Sequence, residues 1–393
     1  RTQAIRTYDR FGDLAEVYEA VQGAMAWTTY YEPENSRVIS NVSRLWNVQR
    51  GGWGMFCWDN FFGAYMLSLD SADLAHANAI EIMAEKTELG FVPNCSNGDG
   101  RKSRDRSQPP VGSLVTRELY RRFRQDWFVR VMFDQLLVWN RWWHANRDDR
   151  GLLCWGSNAH DNPQGYIRPA EQMNTLAGAA LESGLDNSPM YDNMPYDKST
   201  GLMGLWDVGL NSLYVMDCDC LADLAAVLGR PEQTELRQRA DTYRANLARL
   251  WDEQSGIYLN RRTDTDVLQP HLSPFNFLPT LGRAPTDQQV RRMIDEHLNS
   301  EHEFAGQWIL PSIARNDPTF PEQDYWRGRV WGPLNFLLYL GLRNYPTAAP
   351  ARRHLAQRSA ELLLKEWREH RHIHENYNAI TGEGCDVRAS DRF

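Results

Sequence analysis

The sequence predicts an all-α fold, a ring of helical hairpins, and two observations carry that expectation. Apolar residues recur at helical spacing along most of the chain, while strand-like alternation is scarce. The helical stretches are also joined alternately by short turns and by long polar loops. Hairpins with short turns at one end collect their long loops at the other, where a site can be built. A solenoid is the competing architecture, but the chain has no repeat of fixed period to support it. No linker rich in Gly, Pro or Ser divides the 393 residues, so a single domain is expected over 1–393.

In chain order, weaker helical patterns cover 12–27, 58–68, 72–86 and 111–123. Val129, Met132, Phe133, Leu136, Trp139 and Trp143 then share one face of a long amphipathic helix. A weak pattern follows over 168–181. Leu210, Leu213, Tyr214, Asp217, Leu221, Leu224, Ala225 and Leu228 repeat the strong spacing, and Gly229 with Pro231 beyond it ends that helix. Its partner carries Leu236, Ala240, Tyr243, Leu247 and Leu250. Two weaker patterns, 287–298 and 329–343, precede a last helix with Leu355, Ala356, Ala360, Leu363, Leu364 and Trp367. The expected total is about eleven helices.

Charge and composition narrow the function. A net charge of -8 argues against a nucleic-acid surface, and the one basic cluster, Arg101 to Arg106, also contains Asp105. No apolar run approaches the roughly 18 residues of a membrane span. The six cysteines (57, 95, 154, 218, 220, 385) are scattered, so they read as structural thiols rather than a disulfide framework. Free thiols and the lack of a targeting segment lean towards the cytoplasm, although a chain that begins at Arg1 leaves the compartment open. Fifteen Trp and sixteen Tyr are the informative excess. Such rings stack on the apolar faces of sugars and also fill cores, and several of these Trp sit in polar, Gly-rich loops.

Two acidic loops stand out. Glu182-Ser-Gly-Leu-Asp186-Asn187-Ser-Pro189 follows a helical stretch and ends in turn formers. Alone, Asp186 would be read as an Asx-turn or a cap. His374-Glu375-Asn376-Tyr377-Asn378 lies past a helix end, where an isolated Glu would be read as solvated surface. Taken together, two distant carboxylates in polar aromatic loops are what glycosidic hydrolysis requires, one as acid and one acting on water or on the sugar. Further candidates accompany them. Gly51 to Asp59 joins close backbone approach with Trp58 and a carboxylate that could accept from vicinal sugar hydroxyls. Arg104 to Pro110 holds Gln108, and Trp308, Tyr325, Trp326, Arg327 and Trp331 add rings and a guanidinium. His370, His372 and His374 suggest a metal, but alternate residues share a face only on a strand, and this stretch exits a helix. No metal or cofactor is expected; phosphate-cradling and dinucleotide motifs are absent.

Together, Trp58-Asp59, Ser107-Gln-Pro-Pro110, Glu182 to Pro189, Tyr325-Trp-Arg-Gly328 and the Glu375 loop resemble glycoside hydrolase family 63. That family includes processing α-glucosidase I and bacterial α-glucosidases. The Arg-Ser-Gln-Pro-Pro and Glu-Ser-Gly-x-Asp segments are also similar to family 37 trehalases. The likeness spans roughly 46–387 in order. It implies an (α/α)6 barrel and hydrolysis with inversion, with Asp186 as general acid and Glu375 as general base. Trp58, Asp59, Gln108, Trp308, Trp326 and Arg327 fall on pocket positions, and Asn187, Tyr325, Trp331 and His374 complete the expected sugar site. The N-terminal β-sandwich of many members and a closing C-terminal helix are not expected in this chain.

The leading expectation is an exo-acting α-glucosidase on a short oligosaccharide or small glucoside. Trehalose hydrolysis and hydrolysis of glucosyl- or mannosylglycerate are alternatives within the class, and Arg101, Arg104 and Arg106 could meet a glycerate carboxylate. Outside it stand a sugar epimerase or isomerase, supported only by the histidines, and a carbohydrate-binding protein without turnover. Oligomeric state is not readable from the sequence.

Overall fold

The computed structural model describes residues 10–44, 47, 50–160 and 172–385. Eleven α-helices lie among the described residues. In order they are α1 Ala15–Thr28, α2 Cys57–Leu67, α3 Ala72–Ala84, α4 Gly112–Phe123, α5 Asp126–Arg147 and α6 Leu176–Glu182. Then come α7 Val208–Leu228, α8 Glu232–Leu247, α9 Asp287–Arg292, α10 Gly332–Leu342 and α11 Ala349–His370. The expected helix over 168–181 is found as α6, and 168–171 lie outside the described residues.

The helices sort into an inner and an outer layer by composition. α7 buries almost every residue from Val208 to Ala225, and α10 is apolar nearly all round, as a helix enclosed on all sides must be. α5, α8 and α11 keep a charged face. α4 packs against α2, α5 and α7; α7 against α8 and a 3-10 segment, Pro274–Thr280; and that segment against α10. Phe62 and Tyr65 of α2 reach across to the ring of Phe336 of α10 at 5.6 and 5.3 Å between centroids. α1 packs on α2 and α11 outside the inner layer. The arrangement is an (α/α)6 barrel.

Pro274–Thr280 takes an inner position that periodicity did not anticipate. Ser273 and Asn276 form a capping box at its start, and Pro279 sits inside it. That proline lacks an N–H and clashes with the preceding turn, so the segment stays short and tightly wound. The outer helix over 287–298 also differs from expectation: α9 ends at Arg292 and a π-helical stretch, Met293–Leu298, continues it. Seven two-stranded ribbons occur in the loops among the described residues. Their strands are two to four residues long, too short to produce visible alternation.

Short turns follow the inner helices: 68–71 after α2, 124–125 after α4, 229–231 after α7 and 343–348 after α10. The α7–α8 turn relies on Gly229 at φ +65°, whose amide bonds to Ala225 and Ala226 carbonyls. The long segments 85–111, 183–207, 248–273 and 299–331 all lead into inner elements. They therefore gather at the inner N-termini. Trp139, Trp142, Trp143 and Trp155 are core residues, so part of the Trp excess serves packing, while Trp308, Trp326 and Trp331 lie in or beside the long segment before α10.

Candidate active site

Glu182, the last residue of α6, fixes the segment that carries Asp186. Its carboxylate accepts from Arg147 Nε at 2.6 Å, Arg147 Nη2 at 2.9 Å, the Ser107 amide at 2.9 Å and the Gly156 amide at 2.7 Å. Both side chains are fully buried. An ion pair without water is tolerable only when the geometry is bidentate and the remaining lone pairs are met, as here. Gly184 then adopts φ +72°, and a Cβ there would stand 2.8 Å from the Trp58 indole. Glycine lets the acid loop lie against that ring. Leu185 turns into the core, and Asp186 emerges partly exposed.

Asn187 clips this loop to the next. Its Oδ1 accepts from the Trp326 amide at 2.9 Å, and its Nδ2 donates to the Asp324 carbonyl at 3.1 Å. Glu375 arrives on the segment after α11. Val330 and Tyr377 exchange backbone hydrogen bonds of 2.8 and 3.0 Å, and the Ala379 amide donates to Gln323 Oε1 at 2.7 Å. Three segments distant in sequence are thereby sewn together.

Tyr325 stands at their junction. Its φ of +57° is unusual for a residue with a side chain, and its carbonyl accepts from Trp331 Nε1 at 3.0 Å. Its hydroxyl donates to Glu375 Oε1 at 2.8 Å. Burial first, then the charges of Glu375, Asp186 and Asp59, hold this phenol un-ionised far above its usual range. One buried hydroxyl is thus within electrostatic reach of three carboxylates from three segments.

Asp59 lies in the first turn of α2. It is half-buried, and its desolvation, with the nearby Asp186 charge, raises its pKa to about 7. Its own backbone amide and Trp58 oppose the rise through hydrogen bonds. An unfolded Asp ionises near pH ~4. Between there and pH 7 the folded protein holds a proton that the unfolded chain has lost, so this residue's contribution to stability falls as pH rises through that window. Asp59→Asn is expected to stabilise the protein at pH 8 relative to pH 5 by on the order of 2 kcal/mol. Denaturant melts at the two pH values check this.

Rings build one wall. Trp326 stacks on Trp331 at 3.7 Å and 9° between planes, with Trp58 6.2 Å away. Gln108 Oε1 accepts the Trp58 amide at 3.2 Å. Buried Trp308 backs the Glu375 loop; a Cβ on Gly382 would meet its indole at 2.5 Å. Trp58, Asp59, Asp186, Tyr325, Trp326, Trp331 and Glu375 thus form one contiguous group. Arg327 engages elsewhere, with Glu322 at 2.8 Å and Asp192 at 2.9 Å. The His374 ring turns to Glu366 of α11, 3.4 Å away.

Sequence reasoning missed Arg147 and the part played by Glu182. A signal existed for the first: Arg147 lies four residues past Trp143, on the apolar stripe of α5, where a guanidinium must have a buried partner. Among the described residues, Glu366, Glu369 and His370 could offer ligand atoms to a cation. Glu366 already pairs with Lys365 at 2.8 Å and His370 at 3.0 Å, so the group reads as an ion-pair cluster on α11.

Residues 52–393 match the family described as the mannosylglycerate hydrolase MGH1-like glycoside hydrolase domain. A mannosylglycerate hydrolase of Thermus thermophilus is 26% identical over 335 residues, covering 71% of this chain and 72% of its own. Mannosylglycerate hydrolase MGH2 of Selaginella moellendorffii is 24% identical over 401 residues, covering 84% and 78%. The family 63 mannosylglycerate hydrolase from another strain of Thermus thermophilus, solved in complex with glucose, superposes with a TM-score of 0.69 at 22% identity. That match covers 85% of this chain and 89% of the other, and it supports the barrel.

Proposed function

Because the chain belongs to the mannosylglycerate hydrolase MGH1-like glycoside hydrolase family, we propose that it hydrolyses a small α-glycoside of an acidic aglycone with inversion. The observation that carries this reading is that Asp59, Asp186 and Glu375, from three distant segments, lie within electrostatic reach of the Tyr325 hydroxyl, which donates to Glu375 at 2.8 Å. Asp186 protonates the glycosidic oxygen as the aglycone leaves. Glu375, oriented by Tyr325, takes a proton from the water that attacks the opposite face of the sugar. Inversion needs room for that water, so the two carboxyls are expected about 6.5–9.5 Å apart. Trp58, Trp326 and Trp331 form the packed apolar wall behind the sugar, and Asp59 accepts from its hydroxyls when ionised.

The relatives bring a glycerate aglycone ahead of the oligosaccharide favoured by the motifs alone, and Arg106 supports that order. It is 4% exposed and pairs with Asp105 at 2.7 Å, while its Nε has no acceptor among the described residues. Ser107 turns its hydroxyl into the core towards Val92 and Trp139. Gln108, two residues beyond Arg106, accepts from the Trp58 amide beside Asp59. A guanidinium there suits a carboxylate. Initial rates on α-mannosylglycerate, α-glucosylglycerate, trehalose and short α-glucosides test the reading. The expected kcat/KM for a glycerate glycoside exceeds every disaccharide by about 100-fold, the scale of one well-met carboxylate. A preferred disaccharide would restore the α-glucosidase reading.

A further inference from the structure

At the opposite end of the barrel, beneath the C-terminal half of the inner circle, lies a cavity of about 700 Å³. α4, α7, α8 and α10 bound it. Leu114, Met216, Leu281 and Leu340 give it an apolar floor, and six arginines ring it: 117, 121, 237, 244, 283 and 343. Only three carboxylates share the lining, those of Glu118, Asp219 and Asp223.

The pairing is uneven. Arg117 bridges Glu118 at 3.1 Å and Asp223 at 3.2 Å, and Arg237 bridges Asp219 at 2.6 Å and Asp223 at 2.5 Å. Arg121 meets Glu118 at 2.8 Å. Arg244 shares Asp219 and also takes Asp241, just outside the lining, each at 2.5 Å. Arg283 and Arg343 have no carboxylate partner among the described residues; Arg283 gives one 3.3 Å hydrogen bond to Asn344. Even with Asp241 counted, two guanidiniums are in excess, in a chain whose net charge is -8. Helix C-termini attract cations, which accounts for Arg121 at the end of α4 and Arg343 beside α10. It does not account for Arg237, in the first half of α8, or for Arg283 in a loop.

We propose that this basal cavity binds a phosphorylated small organic molecule, remote from the catalytic carboxylates. The guanidinium fork matches phosphate oxygens in pairs, the apolar floor suits an organic body, and the volume lies within the usual range for small-molecule sites. A ligand held by helices of both layers also stabilises the fold.

The test is calorimetric titration of the full chain with adenosine monophosphate, pyrophosphate, inorganic phosphate and citrate at constant ionic strength, repeated on the Arg283→Ala/Arg343→Ala variant. Both arginines are exposed and outside the ion-pair network, so the variant should fold and retain glycoside hydrolysis. Saturable binding of adenosine monophosphate, at least tenfold tighter than inorganic phosphate or citrate and weakened at least tenfold in the variant, is the expected result. The site is overturned by no saturable binding at millimolar concentration, or by equal affinity in the variant. Pyrophosphate or inorganic phosphate binding as tightly as the nucleotide overturns the organic body, and citrate binding as tightly overturns the phosphate.

Discussion

Asp186→Asn is expected to lower kcat on an unactivated glycoside by about 10³-fold or more, within the range of general acid catalysis. An alkoxide is a poor leaving group, and Asp186 is the carboxyl proposed to protonate it. The same variant should lose far less on a 2,4-dinitrophenyl glycoside, whose phenolate departs without a proton. The fold should survive, because Asp186 is partly exposed and the segment before it is held by Glu182 through four hydrogen bonds. Paired kinetics on the two substrates check this. Equal losses on both would assign Asp186 to binding or to structure.

Glu375→Gln should be damaging on both substrates, by about 10³–10⁴-fold, because activation of water is needed whichever group leaves. Glutamine keeps an oxygen to accept from Tyr325 and preserves the 2.8 Å hydrogen bond, so loss of activity would report loss of the base rather than collapse of the loop. Added azide, an anion that needs no deprotonation, should restore turnover of the dinitrophenyl glycoside by forming a glycosyl azide. No azide product and near-normal hydrolysis would remove Glu375 from the reaction.

The barrel was legible because its determinants are local. Helical periodicity, Gly229 and the alternation of short and long connections are all read within a few tens of residues, and each corresponds to an element of the ring. Pro274–Thr280 was not legible, because an inner helix broken by Pro279 has no period to detect. The acidic loops were recognisable as segments, but their environment was not. That Tyr325 links Glu375 to Asp186 and Asp59 depends on contacts between residues 50 to 266 positions apart. Asn187 looked like a sugar ligand in sequence, yet both ends of its amide hold the 324–326 backbone. Arg327 likewise spends its guanidinium on Glu322 and Asp192. In polar loops the same side chains serve recognition or framework, and only long-range geometry distinguishes the two.

The stereochemistry of the first-formed product tests the two-carboxylate assignment most directly. Proton NMR, followed from the first seconds of hydrolysis of an α-glycoside, separates the anomeric signals before mutarotation mixes them. Attack by water opposite the leaving group predicts that the β-anomer of the free sugar appears first. Initial release of the α-anomer would mean a covalent intermediate, and would contradict Glu375 acting as a base upon water.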